Sequence, residues 1–164
     1  MKLIDSKYDN FFEITELCFI SKSKDAITGK EKKPAVICNS LNNLMEDIES
    51  VRMFDQGSNL IHKIGLDGGG GFFKITLSIF DPRNSETKAR MTYSEGIANK
   101  FKHSGVKKLF IIALVSNIQE NYENVLRLWT SLNMRLLIES NPSNFCIATD
   151  LKLIEYFARN NGPW

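Results

Sequence analysis

Histidine is nearly missing from this chain. His62 and His103 are the only two in 164 residues, too few and too far apart for a zinc site. Cysteine is scarce as well, and its three copies, Cys18, Cys38 and Cys146, form no metal-type pair. Each lies among apolar neighbours, in "ELCFI", "AVICN" and "NFCIA", so the expectation is small buried hydrophobes in a reducing compartment rather than a disulfide frame. Excess charge of one sign is lacking too. The net charge is only +2, which makes no general electrostatic case for nucleic acid. No apolar run is long enough to span a bilayer, and "MKLIDSKYDNFFEI" has no signal core, so no membrane partner is expected. These readings place the chain inside the cell, with the nucleus as the finer expectation. No internal repeat or low-complexity segment interrupts it.

What remains is an ordinary globular composition, 43% hydrophobic and 24% charged, at a length that suits one domain with a real core. The densest positive stretch, Lys22 and Lys24 followed by Lys30, Lys32 and Lys33 around Gly29, reads first as a solvated loop and second as a phosphate-contacting arm. It separates two strand-like stretches, "FFEITELCFISK" and "KPAVICN". Ser40 then offers an N-cap to "LNNLMEDIESVRMF", whose Leu41, Leu44, Met45 and Ile48 recur at helical spacing. Residues 1–58 are therefore expected to form a strand and helix extension ahead of a core at 59–164.

That core opens on the most regular stretch of the chain. Ile64 and Leu66 fall on one side of a strand and Lys63, Gly65 and Asp67 on the other. Phe73, Ile75, Leu77 and Ile79 then alternate with Lys74, Thr76 and Ser78. Two alternating runs around Gly68–Gly71 predict a β-hairpin. "SEGIANKFKHSG" is expected as a short helix or an extra strand. "LFIIALV", residues 109–115, predicts a strand buried on both faces. "NYENVLRLWTSLNM" places Val125, Leu128, Trp129 and Leu132 on one helical face. "FCIATD" is expected as another buried strand, and "LKLIEYFARNNGP" as a last helix. Hairpin, strand, helix, strand, helix is a mixed α/β order.

In that order one strand ends at Asp67 and another at Asp150. Ligands of such sheets gather beyond strand ends. Two neighbouring carboxylates repel unless a proton or cation lies between them, and a divalent ion such as Mg2+ or Mn2+ satisfies both. Asp67 and Asp150 are therefore the candidate catalytic and metal-binding residues, in the pattern used for in-line phosphodiester attack, which also wants a third acid. Simpler roles stand beside this one: Asp67 as an ordinary hairpin residue, Asp150 as the N-cap of the last helix. The glycines exclude a Walker loop and a dinucleotide fingerprint, because the run opens a strand and not a helix. "DGGGGFFK" also fits the hairpin with which actin-like proteins hold ATP phosphates, although those proteins need two such lobes.

"KIGLDGGGGFFKITLSIF", "VKKLFIIALVSNIQENYENVLRLW" and "ATDLKL" together resemble a family of transposable-element-like proteins, itself similar to cut-and-paste DNA transposases with a ribonuclease-H-like, DDE-type core. The likeness runs over residues 34 to 154, and its first and third motifs are the more specific. It implies a ribonuclease-H-like mixed sheet with flanking helices, DNA as partner, and Asp67 and Asp150 as two of the three acidic ligands. Such proteins continue into a cysteine-bearing segment and a third acid on a later helix. Here the sequence stops at "RNNGPW", and Glu155 follows Asp150 too closely to be chosen. The resemblance thus implies a truncated copy: either a metal-dependent strand-transfer or nuclease core, or a non-catalytic remnant that binds DNA or protein.

Overall fold

Period-2 alternation dominates the structure, a computed structural model that describes residues 10–22, 28–54, 59–83, 85–86, 100–101, 109–140 and 144–149. The elements in chain order are β1 (Phe12–Lys22), β2 (Thr28–Cys38), α1 (Leu41–Arg52), β3 (Ile61–Asp67) and β4 (Phe72–Phe80). Then follow β5 (Ser85–Glu86), β6 (Lys100–Phe101), β7 (Phe110–Ser116), α2 (Tyr122–Ser131), α3 (Met134–Ser140) and β8 (Phe145–Ala148). Six strands form one sheet in the order β1-β2-β7-β4-β3-β8, and β5 pairs with β6 separately. Every pairing in the large sheet is antiparallel except β3 with β8. The class is therefore α/β with a mixed sheet. No helix among the described residues is long and apolar enough to cross a membrane.

Cross-strand register shows which side chains share a face. Ile64 lies opposite Leu77, Leu66 opposite Ile75 and His62 opposite Ile79. Ala35 and Ile37 of β2 lie opposite Val115 and Ala113 of β7, which in turn face Phe73 and Ile75. All of these are buried, and the apolar ones join one cluster with Leu41, Leu44 and Ile48 of α1 and Val125, Leu128 and Trp129 of α2. Fully burying one such Ile or Leu contributes about 1.5–3 kcal/mol, so this face carries most of the driving force. Arg52 ties α1 to the sheet, donating from Nη1 to the Ile79 carbonyl at 2.7 Å and lying over the Phe110 ring.

The expected elements differ from the observed ones where a local pattern had two solutions. The 109–115 run is buried on one face only: Ile111, on the other, is 46% exposed. A bulge explains the phase, because the pairing passes from Ile75–Ala113 to Thr76–Ile111 and leaves Ile112 as an extra residue. The 145–148 strand is half-exposed, not buried, because β8 lies at the sheet's edge, and there Cys146 is exposed. Cys18 is half-buried, and only Cys38 is fully covered. The helix over 121–134 breaks at Asn133, whose φ of 53° is left-handed, and α3 follows. Of the helix or strand expected over 94–105, Lys100 and Phe101 form a strand. Ser40 precedes α1 but its side chain makes no capping bond. The expected last helix lies outside the described residues.

Candidate functional site at the Asp67 edge of the sheet

Strand direction brings the chemistry to one edge. β4 is antiparallel to both β3 and β7, and β8 is parallel to β3, so β3, β7 and β8 all end on the same side. Asp67 closes β3 there. Directly opposite it on β4, Lys74 places its ammonium 2.8 Å from Asp67 Oδ2. The carboxylate is exposed and the lysine about half as much so, which makes the pair a weak, solvent-screened contact.

The four glycines serve three purposes. Gly70 and Gly71 have φ of +67° and +79°, a left-handed pair that L side chains adopt only with strain. Gly68 is a close approach: a Cβ there would lie 2.2 Å from Glu120 Oε1. Gly69 leaves its backbone bare beside the first aspartate, with a Cβ position 3.4 Å from Asp67 Oδ1. Asn117 closes the turn, its N–H donating to the Gly71 carbonyl at 2.8 Å and its own φ, 50°, reversing the chain after β7. That reversal carries the backbone to Glu120 and then to Asn121, which caps α2 by accepting from the Asn124 N–H at 2.9 Å.

Glu120 is the residue that sequence reasoning missed. It sits in a polar connection with no periodicity of its own. The available signal was its place just beyond the strand that runs in the same direction as β3. Together, Asp67 and Glu120 set two carboxylates against the bare backbone of Gly68 and Gly69. Carboxylate oxygens held against side-chain-free backbone suit a hard divalent cation such as Mg2+ or Mn2+. The same position does not suit an unaccompanied phosphate, which would face both negative charges; this argues against an ATP cradle here. Among the described residues no group of three or more His, Cys, Asp or Glu is placed to hold a metal.

Asp150 lies outside the described residues. The parallel pairing of β3 with β8 runs from His62–Phe145 to Gly65–Ala148, two residues short of Asp67 on one strand and of Asp150 on the other. One residue past Ala148, the Thr149 hydroxyl is buried without a hydrogen-bond partner. No family model matches the chain, nor does any curated protein or solved structure. The transposase resemblance therefore rests on its motifs.

Proposed function

We propose that the chain is a ribonuclease-H-like domain of transposase descent, with its ancestral phosphodiester site at the Asp67 edge. The supporting observation is the neighbour order β7-β4-β3-β8: an antiparallel meander whose acidic first strand takes a parallel partner leading to the second acid. In this reading Asp67 and Asp150 are the cation ligands and DNA is the partner. A bound divalent ion would supply Lewis-acid chemistry for attack on a phosphodiester. The chain's own residues do the rest. Gly68 lets the Glu120 carboxylate lie against the backbone, Gly69 leaves its backbone bare beside Asp67, and Lys74 balances Asp67 while no cation is held.

One observation favours a second reading, a remnant that keeps the shape without the chemistry. Lys74 already occupies one Asp67 oxygen at 2.8 Å, so a cation must either displace it or bind through the other oxygen beside a positive charge. A manganese titration separates the two, followed by calorimetry on the chain and on Asp67→Asn and Asp150→Asn. Saturable binding lost in both variants supports a shared site. Binding that survives Asp67→Asn removes the aspartate from it. No binding by a folded chain leaves the remnant.

A further inference from the structure

The face of the sheet opposite the main core carries an exposed ring where a buried strand would normally hide one. Phe72 begins β4, an interior strand third from the β8 edge, yet is 48% exposed. Alternation puts Lys74 on the same face, and register extends that face sideways: Lys74 is opposite Leu114, Leu114 opposite Val36, and Val36 opposite Ile14. Along β2 the face continues from Val36 through Pro34 to Lys32 and Lys30, all three exposed. Ile111 and Ile14, 46% and 78% exposed, complete a partly apolar surface. Its charges are Lys30, Lys32, Lys63 and Lys74 against Glu16 and Asp67, a positive balance whose β2 pair lies at the same end of the sheet as Asp67 but three strands to the side.

Further along β4 the same face is covered, at Thr76, Ser78 and Phe80. From this we infer that the open part of the face, from Phe72 across to β2, binds single-stranded nucleic acid, with Phe72 as a stacking platform and Lys30 and Lys32 as phosphate contacts. An aromatic face accepts any unpaired base, and a sheet surface that pairs such rings with lysines is a recurrent way of holding single strands. The spacing fits. β2 lies two strands from β4, roughly 10 Å away, and Lys32 lies about 7 Å further along the strand. A base stacked on Phe72 thus leaves its neighbours' phosphates over β2, while Asp67 repels a path in the other direction. A duplex keeps its bases stacked inside and cannot use the ring. The inference rests on the proposed function only for nucleic acid as partner, and needs neither Asp150 nor a cation.

Fluorescence anisotropy with labelled oligothymidine of about 15 nucleotides, in EDTA, tests it. The expected result is saturable binding that Phe72→Ala weakens about tenfold and Phe72→Trp retains. The double variant Lys30→Glu, Lys32→Glu should flatten the log–log salt dependence by about 1.4, the contribution of two single-strand phosphates. Thermal melts check that each variant folds, which an exposed ring and two exposed lysines should allow. No binding by the folded chain, equal binding by Phe72→Ala, or equal affinity for duplex of the same length would each overturn the inference. Oligothymidine binding without manganese binding would retire the carboxylate reading alone.

Discussion

A Cβ at Gly65 would lie 2.4 Å from Thr76 Oγ1, and one at Gly68 would lie 2.2 Å from Glu120 Oε1. The numbers are alike but the neighbours differ. Thr76 is short, β-branched and buried in a central strand, so it has nowhere to go. Glu120 meets Gly68 with the far end of a flexible chain. Gly65→Ala should therefore destabilise the protein by about 1–3 kcal/mol and be largely rescued by Thr76→Ala. Gly68→Ala should cost under about 1 kcal/mol while pushing the carboxylate away. Urea melts of the single and double variants check both; an unrescued Gly65→Ala would mean the strain lies elsewhere. Neither neighbour was legible beforehand. A glycine in a strand announces a close approach, but its neighbour depends on the register of another strand or on a loop.

At the scale of elements, the legible parts were those with a single period. The hairpin of β3 and β4 followed from strict alternation around glycines, and Trp129 and Leu128 from helical spacing on α2. Edges and ends were not legible, because short apolar runs read alike at the centre and the edge of a sheet. Asn124 shows what an edge needs. Buried on α2, it accepts from the Ile20 N–H at 2.7 Å and donates to the Ile20 and Gln119 carbonyls at 2.9 Å, standing in for a missing strand beside β1. Asn124→Ala should cost about 2–4 kcal/mol, since it strips partners from several part-buried backbone groups at once. A loss below about 1 kcal/mol would show that water replaces the amide. The end of α1 predicts the opposite sign. Met53 holds a left-handed φ of 49° with its side chain in solvent, so Met53→Gly should stabilise by about 0.5–1 kcal/mol in the same melts.

For the whole molecule, the β2–β7 pairing decides how the chain unfolds. It joins β1 and β2 to the strands that carry the Asp67 edge, and α1 and α2 share one core cluster with both. The strand-like stretches and the helix ahead of residue 59 were legible from alternation and helical spacing; the hydrogen bonds of β2 to a strand more than seventy residues later were not. Removing β1 and β2 would leave β7 unpaired on one side and uncover Val115 and Ala113. One cooperative transition is expected, with far-UV circular dichroism coinciding with Trp129 fluorescence in a Trp164→Phe background. Separate midpoints would divide the chain near residue 58. The same melts should depend on alkaline pH. Burial pushes the Cys38 thiol above its ordinary value of 9.0, partly offset by a backbone hydrogen bond at Ser40. It pushes Cys146 up too, against the opposing charge of Lys63. A folded state that holds these protons more tightly than the unfolded chain is fully stabilised below pH 9.0 and loses that contribution as pH rises through the raised values. Cys38→Ala should reduce the alkaline loss more than Cys146→Ala, because Cys38 is fully covered and Cys146 is not. An equal or larger effect at Cys146 would place the burial that matters at the β8 edge.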